Sequence, residues 1–179
     1  MNRNMYENYE GRTVLSVAQF LEFVEKGEKN FSNIFLFDNE EVENVTFDNC
    51  SFEDSYLYMK FKGCTFINSS FSEVFMDGDI KSSVFEACTF EKAHLSIRIN
   101  ESLITNCSFA DSRWKNGYIM QTTLKDVDVS NALFNSTWAG KCIIETPLKG
   151  IPLYTQGGAT RNEMLYSKKR LFEELKISV

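Results

Sequence analysis

The chain has 179 residues, 43% of them hydrophobic, and carries 25 acidic against 19 basic side chains for a net charge of −6. That is enough apolar material for one domain with a continuous core, while 9 Gly and 2 Pro exclude collagen-like and low-complexity chains. No apolar run approaches the roughly 18 residues of a membrane span and no basic-then-apolar leader is visible, so a cytoplasmic protein with no membrane contact is expected. Five cysteines without an export signal are expected to be free thiols. With a single histidine, His94, and no CxxC spacing, neither a metal site nor a bound cofactor is expected.

The first dozen residues, with Tyr6 and Tyr9, show no period and are expected to be mobile. Ser16 followed by Gln19 is a capping box, and Val17, Phe20, Leu21 and Val24 share one helical face. This predicts a helix over 17–26, stopped by Gly27 and laid across the open end of whatever follows. Residues 1–30 are thus read as a mobile start and a capping helix.

From Val45 to Met120 the sequence repeats every 19 residues. The stretches beginning Val45-Thr-Phe, Cys64-Thr-Phe, Ser83-Val-Phe and Ser102-Leu-Ile align without a gap. Within each, a small residue, a spacer and a large apolar residue recur every five positions. A period near 20 made of such short steps marks a solenoid whose coils bury their apolar sides only by stacking.

The large residues fall into four columns. Phe47, Phe66, Phe85, Ile104 and Leu124 form the first, and Phe52, Phe71, Phe90, Phe109 and Val129 the second. Leu57, Met76, Leu95, Trp114 and Phe134 form the third, and Phe61, Ile80, Ile99 and Ile119 the fourth. Cys50, Cys88 and Cys107 share one small-residue column and Cys64 a neighbouring one, so these thiols are expected inside.

Two irregularities stand out. A 19-residue coil is one residue short on its fourth side, where the small-residue slot holds Met59, Gly78, Ile97 and Gly117. Large and small alternate there, which predicts interdigitation. Around Val42, the residues Glu40, Glu41 and Glu43 break the pattern, so the coil must bulge or stay incomplete. The solenoid is read over 31–146 and a C-terminal segment of the same domain over 147–179. There Thr160 and Glu163 form a second capping box, and Met164, Leu165, Leu171, Phe172 and Leu175 give a helix over about 161–175 an apolar stripe. That stripe is larger than one end-coil needs. A homodimer joined through it is the expected use.

The segments Cys50-Ser-Phe, Ser55-Tyr-Leu, Ser69-Ser-Phe, Cys88-Thr-Phe, Ala93-His-Leu, Cys107-Ser-Phe, Ser112-Arg-Trp and Ala132-Leu-Phe resemble the motif of the pentapeptide repeat family. The run from Phe20 to Ser32 also resembles the helical lead-in of many bacterial members. The resemblance covers about residues 16–140. It implies an all-β solenoid, a right-handed quadrilateral β-helix with one pentapeptide per side, preceded by a capping helix and followed by a C-terminal helix.

Function must be sought on the outside of the rod. Residues 31–140 hold 16 acidic and 8 basic side chains. On the first two sides Asp48, Glu53, Asp54, Glu73, Glu86, Glu91, Asp111, Asp126 and Asp128 form an acidic side. Lys60, Lys62, Lys81 and Arg98, next to Lys115, form a basic edge on the fourth. The spacer slot of the third carries Tyr56, Phe75, His94 and Arg113, with Tyr58 nearby, as an aromatic stripe.

There is no Gly-rich phosphate loop, metal cluster or nucleophile–base pair, so no catalytic residue is named and an enzyme is not expected. The basic edge is too short to bind nucleic acid directly. A rigid protein-binding rod is the first reading, its partner an unknown protein met by the aromatic or acidic columns. The family resemblance implies an alternative, since some members mimic duplex DNA and bind DNA gyrase, inhibiting it or protecting it from quinolones. Five to six coils, however, would span only about 27 Å.

Overall fold

The structure, a computed structural model, describes residues 8–9, 11–155 and 161–177, and side chains over 11–38, 40–155 and 168–177. It is a stack of parallel coils. On the first side β4 (Thr46–Asp48), β6 (Thr65–Ile67), β8 (Val84–Glu86), β10 (Leu103–Thr105), β13 (Thr123–Lys125) and β16 (Ile143–Ile144) pair in order. The second side is a ladder of single bridges from Asn30 through Ser51, Ser70, Thr89, Ser108 and Asp128 to Lys149. The third runs β2 (Arg12–Leu15), β3 (Ile34–Glu43), β5 (Tyr56–Lys62), β7 (Phe75–Lys81), β9 (His94–Asn100), β11 (Arg113–Lys115), β14 (Leu133–Asn135) and β17 (Leu153–Thr155). On the fourth side, β12 (Tyr118–Met120) continues from β9 and pairs with β15 (Trp138–Gly140).

The coil turns wherever a residue takes the left-handed conformation, and these residues recur in register. Asn49, Asn68 and Asn106 turn the first side into the second, and Asp54, Glu73 and Asp111 turn the second into the third. Asn and Asp accept this conformation more readily than other non-glycine residues, which explains much of the Asn and Asp at the rim of each coil. Between the third and fourth sides such a corner, at φ near +50°, exists at Asn116 and Ser136 but not in β5, β7 or β9, where Gly78 at +136° leaves the strand running on. The residue missing from a 19-residue coil is the one that would make this turn. Those three strands run seven residues without a break, and the two sides join into one flat face.

Inside, the columns hold as the repeat requires. Phe47, Phe66 and Phe85 stack at 4.8 and 4.6 Å between ring centroids, and Phe52, Phe71, Phe90 and Phe109 at 4.8, 4.7 and 4.5 Å. The small-residue slots give their polar atoms to the backbone. Ser83 Oγ, for example, donates to the Lys81 carbonyl at 2.8 Å and accepts from the Cys64 amide at 3.2 Å. Cys50, Cys64, Cys88 and Cys107 are buried free thiols. Gly78 lies between Met59 and Ile97 in the ladder, and a Cβ there would sit 1.9 Å from the Met59 carbonyl oxygen. The alternation of large and small in this slot follows from that close approach.

Both ends are covered from within the chain. Helix α1 (Val17–Glu25) carries the Ser16–Gln19 capping box and places buried Phe20 5.7 Å from Phe47, at the head of the aromatic column. The stack extends beyond 31–146 at both ends: residues 12–15 pair in parallel with β3, and 153–155 with β14. Eight rungs on the third side span about 34 Å. Tyr9 and Arg12 were expected in a mobile start, but β1 (Asn8–Tyr9) folds back antiparallel on β2, pairing part of the first exposed edge. Tyr6 lies outside the described residues. The pattern break near Val42 is a register shift between Phe37 and Glu41, with Val42 itself buried.

At the far end α2 (Arg161–Glu174) corrects the expected dimer contact. Leu171, Phe172 and Leu175 are buried against the chain's own last coils, at 2%, 2% and 1% exposure. Leu175 faces the same apolar space as Trp114, Phe134 and Leu148, and Glu174 accepts a 2.8 Å hydrogen bond from the Cys142 amide. The second column shrinks from Phe109 to Val129 near this end, and Leu175 lines the apolar space beside Val129, so the helix fills the end. The side chains of Met164, Leu165 and Glu163, and Thr160 of the second capping box, lie outside what the structure describes.

Candidate binding face

Strict alternation along β5, β7 and β9 sends every second residue outward, so the joined third and fourth sides expose four parallel columns. One holds Phe35, Tyr56, Phe75, His94 and Arg113; the next holds Phe37, Tyr58, Asp77 and Ser96. The expected aromatic stripe is therefore assembled, with its members in different roles. Tyr56 is half-buried: the Arg12 guanidinium lies 4.1 Å over its ring and donates to the Asp54 carbonyl at 2.7 Å, while Phe75 meets it edge-on at 4.7 Å. Tyr58 and Phe75 are 37% and 36% exposed. His94 stacks on Phe75 at 4.4 Å, and burial, helped by the positive charge of Arg113, holds its imidazole below the ordinary range. The ring is therefore neutral at physiological pH.

Three further aromatics lie on this face or continue it along the fourth side, and were not legible as part of it. Phe37 is 68% exposed and touches Tyr58 at 5.6 Å, ring to ring. It precedes the regular repeat and sits beside the bulge, so no column arithmetic reaches it. Tyr118 and Trp138 pair in register on the fourth side and are both exposed. Their shared spacer slot, 20 residues apart, was the available signal.

The basic edge is a ladder of paired charges. Lys62 lies 3.2 Å from Glu43 and 3.6 Å from Glu41, Lys81 lies 3.6 Å from Glu101, and Arg98 binds Asp79 through both carboxylate oxygens. Glu43 and Asp79 occupy the same outward columns as their cations one coil away, Glu41 the neighbouring column and Glu101 the corner after Asn100, which a reading of the cations alone overlooked.

The nine carboxylates of the acidic side lie on the first two sides and their corners, but not as a uniform track. Asp54 pairs with Arg12 at 2.5 Å, Glu73 with Lys92 at 3.6 Å and Asp128 with Lys149 at 2.6 Å. Asp48, Glu53 and Glu91 accept hydrogen bonds from Asn49, Ser70 and Ser108. Glu86, Asp111 and Asp126 are exposed, and the last two stand at left-handed corners. Among the described residues no three His, Cys, Asp or Glu side chains gather to hold a metal ion, and no helix is long and apolar enough to cross a membrane.

Compared with family profiles and with curated proteins, the chain matches none. Among solved structures it is similar to QnrB1, a plasmid-mediated fluoroquinolone resistance protein, at 20% identity and a TM-score of 0.42 over 60% of this chain and 62% of that one. It is also similar to HetL, a pentapeptide repeat protein involved in heterocyst differentiation regulation from the cyanobacterium Nostoc sp. strain PCC 7120, at 14% identity and a TM-score of 0.28 over 70% and 63%. A third is Rfr23, a pentapeptide repeat protein from the cyanobacterium Cyanothece 51142, at 8% identity and a TM-score of 0.33 over 78% and 93%. The chain thus spans less than two thirds of the length of QnrB1 and of HetL.

Proposed function

We propose that this chain, whose repeat and coil are those of a pentapeptide repeat protein, is a non-enzymatic rod that docks a protein partner on its joined third and fourth sides. The observation that carries the reading is the grouping of Phe37, Tyr58 and Phe75 on the joined face, continued past the Asn116 and Ser136 corners by Tyr118 and Trp138 on the fourth side, each at least 36% exposed. Aromatic side chains are enriched at the centres of protein interfaces, where they supply much contact area for little lost freedom. The stacked core makes this face rigid, so little ordering cost attends binding. Elsewhere the outward positions are mainly charged or polar.

The test is retention of binding partners by the immobilised rod, compared with a Tyr58→Ala/Phe75→Ala variant of equal stability. Partners retained equally by both would sink the reading. The alternative, a DNA mimic acting on DNA gyrase, rests on the acidic side. Three of its nine carboxylates are taken by Arg12, Lys92 and Lys149, which weakens a phosphate-like track. A gyrase supercoiling assay separates the two: inhibition or quinolone protection at equimolar rod would favour the mimic.

A further inference from the structure

One concavity on the joined face combines shape with unbalanced charge. It lies over Ser96, where a small residue stands between larger ones, and is walled by Tyr58 and Asp77 on one side and by Phe75 and His94 on the other. Its far end is formed by Arg113 and Lys115. Both are exposed, and neither makes an ion pair with any described residue. They differ in this from Lys62, Lys81 and Arg98, whose charges are answered one coil away.

We propose that this groove takes an extended acidic segment of a partner protein, its carboxylates on Arg113 and Lys115 and an apolar side chain against Phe75 and Tyr58. The inference rests on the protein-docking reading above and names the chemistry of the partner. Two cations two rungs beyond Phe75 attract a carboxylate over the Debye length of about 8 Å at physiological salt. Beyond that distance the net negative rod repels an acidic chain, so Arg113 and Lys115, with Phe75 two rungs away, set the register of binding. Arg113 stands two rungs from Phe75, about 10 Å, which an extended chain covers in about three residues. The occupant therefore carries its apolar side chain about three residues from its acidic pair. A nucleic acid would meet the same two cations but also Asp77 and the acidic body, with a phosphate at every step.

The experiment is fluorescence anisotropy of the full chain with labelled ten-residue peptides in a Gly/Ser background. Each holds one tryptophan and, three residues on, an aspartate–glutamate, asparagine–glutamine or lysine pair. The acidic peptide is expected to bind at least tenfold tighter than the amide peptide, and Arg113→Ala/Lys115→Ala to abolish that difference. Both side chains are exposed, so the variant keeps its fold. Equal affinity for all three peptides, no binding of the acidic one, or its displacement by equimolar oligothymidylate would overturn the proposal. Equal binding that is lost in Tyr58→Ala/Phe75→Ala would leave the docking face standing and remove only the acidic preference. Binding unaffected in that variant would remove both.

Discussion

Phe71 and Phe90, 19 residues apart in sequence, lie ring on ring with centroids 4.7 Å apart and planes 5° from parallel. Phe109 continues the column at 4.5 Å, and Phe85 meets Phe90 edge-on at 5.5 Å from the neighbouring column. Each ring thus touches its own column above and below and the next column at its side. Aromatic pairs of this kind add about 0.5–1.5 kcal/mol beyond the area they bury.

Phe90→Ala is therefore expected to cost about 3–5 kcal/mol, since coils above and below are fixed by their own ladders and cannot close the gap. Glu91→Ala, one residue away and exposed, should stay within about 0.5 kcal/mol. Urea unfolding of the two variants decides it; equal losses would mean that the inward register is wrong.

Gly78→Ala offers a sharper test of the joined face. The new Cβ would lie 1.9 Å from the Met59 carbonyl oxygen, at a residue whose φ is +136°. Backbone must move, so a cost of at least about 3 kcal/mol is expected. Gly27→Ala, which meets nothing within 4 Å, bears only the penalty of its positive φ and should be milder. A thermally stable Gly78→Ala protein would show that the coils are more widely spaced there.

The thiols should divide four to one. Burial pushes the Cys50 and Cys64 thiols above their ordinary range, and Cys107 is held up by its hydrogen bond with Cys88 and by burial. The same hydrogen bond pulls Cys88 down, but burial keeps reagent from its sulfur. The thiolate is the reactive form and must also be reached, so a bulky disulfide reagent should label none of Cys50, Cys64, Cys88 and Cys107 in the native protein. Half-buried Cys142 should label first, though slowly. Mass spectrometry of the labelled chain reads the order directly.

The inner columns were legible because one rule, small residue then spacer then large residue, acts on every side of every coil. Phe47 to Phe109 could be placed by counting. Surface meaning did not follow so easily, because it depends on which columns become neighbours. Nothing local at Met59, Gly78 or Ile97 says that the corner beside them vanishes, yet that loss brings Tyr58 and Arg98 onto one face. The cations of the fourth side looked like an edge until the ladder set Asp79 beside Arg98. Leu171 and Phe172 looked surplus because the space left where Val129 follows Phe109, which the C-terminal helix closes with Leu175, is set only in three dimensions.

His94 gives the aromatic face a spectroscopic reporter, being the only histidine. Its folded pKa lies below the ordinary value of 6.5, through burial first and Arg113 second. A histidine depressed in the fold binds more protons when unfolded, so its contribution is full above the unfolded value and is lost as pH falls through that value toward the folded one. The imidazole should titrate below 6.5 by NMR, and Arg113→Ala should raise it part of the way. Against His94→Phe, the unmutated protein should lose urea stability between pH 7.5 and 5. A midpoint at 6.5, that of a solvated imidazole, would place the ring in open solvent.

The C-terminal helix closes the series because two uses of one apolar stripe predict opposite results. As a cap, Leu171 and Phe172 are core residues, and a carboxylate at either would be buried with no partner. Leu171→Asp/Phe172→Asp is then expected to cost at least about 3 kcal/mol. The loss should be concentrated in the last coils, where amides of β14, β15 and β16 exchange faster while those of β4 to β8 keep their protection. Sedimentation equilibrium of the unmutated chain should give the same oligomeric state as the folded variant. A dimer contact would behave otherwise, with the variant halving the mass and leaving the stability of each chain unchanged. Hydrogen exchange and sedimentation on the same two samples separate a helix that completes its own rod from one that joins two.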